Sequence, residues 1–235
     1  ATGILTFDQV WKGTYTVEAI KIGYESYFAT HNIMGDETIT ILMSENKYPP
    51  RNLWVDPMTS IATWDPPLIQ ALDEDFEGGL FPPTGWQMTS NDVGWYITTS
   101  GSSSFWTIPT WTSQYAVSND DLNNGDGSVD YLITPPMDLR EVDTYHLMFD
   151  SYYDGAYGQL AFVEYSLDAG ATWEVLYQLS PSASWTMIEQ DLSGFSGASG
   201  PDQVWFAFHS DDAGAWASGW AIDNPLVQIP SPAAN

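Results

Sequence analysis

The sequence predicts an all-β protein: a two-sheet jelly-roll sandwich preceded by a smaller N-terminal β-sandwich-like segment. Three observations carry that expectation. Short runs rich in Val, Ile, Thr, Tyr, Phe and Trp alternate with clusters of Gly, Pro, Asn, Asp and Ser, the pattern of strands and turns. No segment keeps apolar residues at sustained helical spacing. Hydrophobic residues make up 43% of the 235 residues and aromatics 15%, enough to build a packed core rather than a disordered chain.

Taken in order, residues 1–46 show alternation from Thr14 to Ala19 and from Thr38 to Leu42, each entered through a turn, "KGTY" and "MGDET". Residues 47–71 form a Pro-rich stretch in which Pro49-Pro50 and Pro66-Pro67 bracket two strand-like runs, 52–55 and 60–64. It reads as a semi-rigid linker packed on a neighbour. Residues 72–229 hold nine candidate strands: 95–98, 115–118, 131–134, 145–153, 159–167, 172–179, 186–192, 204–210 and 220–229. Nine strands joined by Gly, Pro and Asn turns suit a two-sheet sandwich. The tail "PSPAAN", residues 230–235, is linker-like, and the chain opens on Ala1 rather than Met. The expectation is a piece of a longer parent.

Charge narrows the partners. Residues 1–68 hold 8 acids and 4 bases, whereas residues 69–235 hold 23 acids and one base, Arg140. Such a surface repels nucleic acid and anionic lipid and suits cations, basic partners or a saline medium, or simply keeps a secreted protein soluble. No apolar run approaches the ~18–20 residues of a membrane span, so membrane insertion is not expected. Cysteine is absent, which excludes disulfides, thiolate nucleophiles and zinc-thiolate sites.

Two resemblances add to this reading. Phe7, Val10, Gly13, Tyr15, Gly23-Tyr24 and Gly35-Asp36 resemble the second half of a carboxypeptidase-regulatory-like β-domain, and 47–71 resembles an incomplete fibronectin III opening. Further on, "DFEGGLFPPTGW", "DVGW", "YAVSNDD", "DYLITPPMDL", "LMFDSYYDG", "VEYSLDAGATWEVLY", "WTMIEQDLSGF", "VWFAFHSDD" and "GWAIDN" follow one another in an order that resembles the cleaved-adhesin, or choice-of-anchor J, jelly roll, a relative of the MAM domain. That resemblance implies a secreted or cell-surface bacterial module with adhesive or accessory roles, and structural calcium. The positions it implies as ligands are Glu77, Asp92, Asn119, Asp120 and Asp223.

The opening acids "DEDFEGG" fit the same chemistry. On an extended chain Asp75 and Glu77 share one face, with Asp73 beside them. Calcium takes about six to eight oxygens at roughly 2.3–2.6 Å. If the first and last strands pair, Asp223 joins the set; the alternative is a solvated strand edge. The loop 118–130 places Asn124, Asp126, Ser128 and Asp130 at alternate positions, but its glycines are out of phase for an EF-hand. It is another calcium loop or a polar turn.

"SLDAGATW", Ser166 to Trp173, is an Asp-box: a hairpin turned by Asp168 and Gly170 with Trp173 packed behind. One copy without an arginine cluster excludes a sialidase. With 23 acids, carboxylate pairs arise by chance, so a glycosidase signal is empty. No G-x-S-x-G, HExxH or P-loop is present. His31, His146 and His209 are scattered, and the last two lie in apolar strands as expected core residues. An enzyme is not expected. Trp86, Trp173, Trp185 and Trp205 read as core. Trp106, Trp111 and Trp216 lie in Ser/Thr-rich or Asp/Gly-rich loops, where rings beside polar groups either stack on sugars or pack under the loop.

The function expected from this is a non-catalytic, calcium-stabilised extracellular module for adhesion or substrate targeting, with Trp106, Trp111 and Trp216 as ligand-binding residues. Its partners are a glycan or a host or matrix protein. The alternative is a structural subunit of a filament or surface layer, in which the half-sandwich of 1–46 completes its sheet with strands from other copies of the chain.

Overall fold

The computed structural model describes residues 4–19, 21, 24, 27–44, 51–65, 70–123, 127 and 129–229. The chain forms two compact units, Ala1–Asn46 and Lys47–Asn235.

The first unit is built on one antiparallel pair, β1 (Gly13–Ala19) and β2 (Tyr27–Ile33), in register from Gly13 opposite Ile33 to Ala19 opposite Tyr27. Thr38 to Leu42, expected as a strand, has no ladder partner among the described residues and is not one. Alternation alone does not make a strand; a neighbour has to accept the backbone hydrogen bonds.

In the second unit, β3 (Arg51–Val55) and β4 (Ala62–Asp65) form a hairpin. Asp56 shapes its turn by accepting from the Met58 N–H at 2.8 Å. The sandwich proper follows. Its strands are β5 (Gln70–Asp73), β6 (Gln87–Thr89), β7 (Tyr96–Thr98), β8 (Tyr115–Asn119), β9 (Val129–Ile133), β10 (His146–Tyr152), β11 (Leu160–Ser166), β12 (Glu174–Gln178), β13 (Thr186–Asp191), β14 (Trp205–Asp211) and β15 (Gly219–Gln228). One helical turn, α1 (Asp120–Asn123), and a 3-10 turn at Ala156–Gly158 are the helical pieces among the described residues. All nine candidate strands of 72–229 are present, within a residue or two at each end. Three strands, β2, β5 and β6, went unread in the sequence.

The sheets are antiparallel, in the orders β13-β10-β15-β8-β7 and β12-β11-β14-β9-β6. Strand β15 organises the first. Its N-terminal half pairs with β8, Gly219 to Ile222 against Asn119 to Ala116. Its C-terminal half pairs on the same edge with β5, where Leu226 faces Asp73. The first and last strands of the sandwich therefore do pair.

Alternation decides which side chains meet between the sheets. On β14, Phe206 and Phe208 point inward, while Trp205, Ala207 and His209 point out. Phe208 meets Phe149 edge to face at 5.1 Å and Trp220 at 5.7 Å, which locks the two sheets at their middle. Leu132, Leu147, Val163, Ile222 and Val227 complete this core with no exposed surface.

Candidate functional site

The expected calcium ligands fall in separate places. Phe76 adopts the left-handed region (φ 56°) and is buried, so the backbone turns there instead of running extended. Asp75 then folds back to accept from the Glu77 N–H at 3.0 Å, and the two acids do not share a strand face as expected. Glu77 and Asp223 do reach one segment. Glu77 Oε1 accepts from the Gln114 N–H at 2.6 Å. Asp223 Oδ2 accepts from Trp111 Nε1 at 2.6 Å and from Ser113 Oγ at 2.7 Å, and Oδ1 from the Asn224 N–H at 2.8 Å. Burial pushes the Asp223 carboxyl up, against these donors.

Asp92 lies elsewhere, beside Ser90. Asn119 binds the Gly101 carbonyl at 2.6 Å, and Asp120 accepts from the Ala217 N–H. Among the described residues, no three His, Cys, Asp or Glu side chains gather as a metal-holding set. In the Glu77–Asp223 knot, Glu77 accepts from one protein donor through Oε1 and Asp223 from three, and each carboxylate keeps further lone pairs. Asn124, Asp126 and Ser128 lie outside the described residues.

The three expected ligand-binding tryptophans divide too. Trp106 is fully buried and stacks on Tyr152 at 5.9 Å, so it is core and offers no free face, a correction to its expected role. The loop that carries it, 99–114, folds onto the outer face of the β15 sheet, over Tyr115, Val117 and Ala221. Trp111 is half-buried, stacked on Trp185 at 4.5 Å and tied to Asp223. Trp216 is half-buried between Phe105 and Tyr157 at the loop end.

The Asp-box has the expected mechanics. Asp168 accepts from the Thr172 N–H at 2.9 Å and its hydroxyl at 2.7 Å, and Ser166 Oγ donates to Asp168 at 2.8 Å. These donors, the Thr172 hydroxyl first, hold the Asp168 carboxyl below its ordinary range. Gly170, at φ 83°, lies against Trp173, where an added Cβ would meet the indole at 3.3 Å.

What the hairpin holds is a ring row on the outer face of the β14 sheet. Register sets His209 between Phe162 on β11 and Tyr131 on β9. Tyr131 stacks on the imidazole at 4.1 Å and 15°, Phe162 lies 5.6 Å from its other side, and Trp173 lies 5.8 Å from Tyr131. Ala207, Ile133 and Trp205 form the floor.

Glu164 and His209 are embedded in this row, 7% and 8% exposed. His209 Nδ1 lies 3.0 Å from Glu164 Oε1. A carboxylate only accepts, so Nδ1 carries the proton of this bond. Nε2 of His209 is buried without a hydrogen-bond partner, the Asp211 carboxylate being 4.0 Å away, and Glu164 also faces the Tyr131 hydroxyl. Burial pushes the Tyr131 hydroxyl up to about 12, with Glu164 and Asp211 adding to it, so Tyr131 remains a donor. Buried polar atoms are rarely left bare, so this pair stands out in the row.

No family model matches the chain, and no curated protein matches it. Solved structures with a similar arrangement include two cleaved adhesin domains of Lys-gingipain from Porphyromonas gingivalis W83. The K1 domain is 17% identical, with a TM-score of 0.49, and the K3 domain 18% identical, with a TM-score of 0.47; each comparison covers 68% of this chain and 98% of the domain. The family 11 carbohydrate-binding module of the cellulase Lic26A-Cel5E of Clostridium thermocellum is 17% identical over 70% of this chain and 96% of the module, with a TM-score of 0.40.

Proposed function

We propose that the chain is a non-catalytic recognition module of a secreted or cell-surface protein, and that it binds a glycan along the outer face of the β14 sheet. The observation that carries this reading is the row Trp173–Tyr131–His209–Phe162, with the Glu164 carboxylate set beside it. A sugar offers an apolar C–H face to stack on rings and hydroxyls to donate to acceptors. Glu164 is committed to His209 through one oxygen, which fits holding a ligand better than moving a proton along a bond to be cut. Calcium enters the reading as a stabiliser that links Glu77 to Asp223.

The test is a screen of soluble polysaccharides by affinity electrophoresis, followed by calorimetry on any that retards the protein. Tyr131→Ala and Glu164→Gln are each expected to weaken binding by about tenfold to a hundredfold, the range for a stacking ring or a buried polar contact. Circular dichroism confirms that both variants fold. Unchanged affinity in both would remove the sheet face from the reading.

A second reading rests on the 1–46 unit. Its two-stranded sheet leaves both outer edges unpaired among the described residues, and Phe7 and Trp11 are 73% and 85% exposed. Unpaired edges invite strand addition between copies of the chain. Light scattering decides it: the mass of a single chain at high concentration sinks the idea.

A further inference from the structure

Three loops meet at one end of the sandwich, and each brings a ring. Phe105 comes from the 99–114 loop, Tyr157 from the 3-10 turn between β10 and β11, and Trp216 from the loop between β14 and β15. Phe105 meets Trp216 edge to face at 5.6 Å and 87°, and Tyr157 meets it at 4.5 Å and 48°. Burial does not account for the trio, because Phe105 is 66% exposed and Tyr157 55% exposed. Tyr157 also holds φ at 61°, a region unfavourable for a bulky residue.

Carboxylates lie beside these loops. Asp121 accepts from the Phe105 N–H at 2.7 Å. Asp154, three residues before Tyr157, accepts from the Ala156 N–H at 2.9 Å and from the Oγ of Ser218, two residues after Trp216, at 2.8 Å. The one base in residues 69–235, Arg140, is held by Asp138 at 2.6 Å. The exposed faces of Phe105 and Tyr157 are electron-rich and attract a cation, and nearby carboxylates add a negative field.

We propose that Phe105, Trp216 and Tyr157, with Asp121 and Asp154, form a second binding site, for a lysine or arginine side chain presented by a partner protein. Charge complementarity selects this occupant over a neutral one. A sugar would stack on the rings equally well and could donate hydroxyls to Asp121 and Asp154, but being neutral it would not gain the attraction of their net charge. The site lies at the loop end and uses no residue of the ring row on the β14 sheet.

The experiment uses the full chain and a short peptide with one lysine flanked by uncharged residues, titrated while tryptophan fluorescence is followed. The control is the same peptide with that lysine acetylated. Acetylation is expected to weaken binding at least about tenfold, and raised sodium chloride to weaken it progressively. Phe105→Ala and Asp121→Asn are each expected to cost about tenfold, the first by removing an exposed ring that the core does not need. Tyr131→Ala, on the sheet face, is expected to leave the peptide affinity unchanged. Equal binding of the acetylated peptide would make this a patch for apolar groups and overturn the proposal. So would full binding by Phe105→Ala, which would trace attraction to the overall charge of the chain, or no binding of the lysine peptide.

Discussion

Asp130 shows how one buried carboxylate sets a pH dependence. It is 2% exposed on β9, where it accepts from Ser90 Oγ at 2.6 Å and from Ser118 Oγ at 2.8 Å. Ser118 connects in turn to Ser210, and Ser210 accepts from Gln159, so the carboxylate terminates a buried polar chain. Burial, with the nearby Asp92 charge opposing the two serine donors, pushes its carboxyl up to about 6. Its unfolded value is about 3.9. Between those values the folded chain holds more protons than the unfolded one, so this group lowers stability as pH rises from about 4 to about 6, and the cost persists above. Asp130→Asn is therefore expected to raise the thermal midpoint at pH 7 relative to the parent chain, with the gap closing as pH falls toward 4. A gap independent of pH would mean that the carboxyl titrates in the ordinary range. His209 and Glu164 were not legible in this way. Each occupies an outward position in an apolar strand, but only the register of β11 against β14 reveals that they are partners.

At the scale of elements, the Asp-box hairpin and strand β15 each bear on a site. Asp168→Ala removes the acceptor that closes the hairpin, and Trp173 loses the frame that holds it near Tyr131. Glycan affinity is expected to fall while global unfolding shifts little, because the hairpin tip is exposed; an unchanged affinity would place Trp173 outside the row. Gly219 opens β15 at a point where a Cβ would lie on the Ser118 carbonyl oxygen and 2.6 Å from the Trp106 ring. Gly219→Ala is expected to cost about 1–3 kcal/mol in urea unfolding, as overpacking in a core does. A neutral result would show that the β8–β15 contact can open. The contrast between read and unread strands has a local cause. Strands such as β11 (LAFVEYS) and β14 (WFAFHSD) run seven residues rich in aromatic and aliphatic side chains between turns, and pattern finds them. Strand β6 has three residues, all exposed, and β5 has four, and neither is long enough to alternate visibly. Their pairing is dictated by β9 and β15, which is tertiary information. The turn at Phe76 was hidden for a similar reason: a left-handed Phe is unfavourable locally and is held by its burial in the core.

For the whole molecule the governing quantity is a net charge of −26, which repels itself in the folded state more than in the expanded chain. Monovalent salt shortens the range of that repulsion to about 10 Å at 0.1 M, so the thermal midpoint is expected to rise smoothly with sodium chloride. A calcium ion at the Glu77–Asp223 knot would act differently. Asp223 is fully buried and burial pushes its carboxyl up, so its ionised form is held at a cost that a divalent cation would offset. The two effects separate at matched ionic strength. A specific site saturates, and at a hundredfold excess over Kd it adds about 2.7 kcal/mol, or about 5–10 °C for a chain of this size. Calcium chloride is therefore expected to raise the midpoint beyond sodium chloride and then level off. Asp223→Asn is expected to abolish the saturating part and leave the smooth salt response intact. If the calcium and sodium curves superpose at equal ionic strength, the acids act only through screening, and the first and last strands are held by their ladder and the hydrogen bonds of residues 111–114 alone.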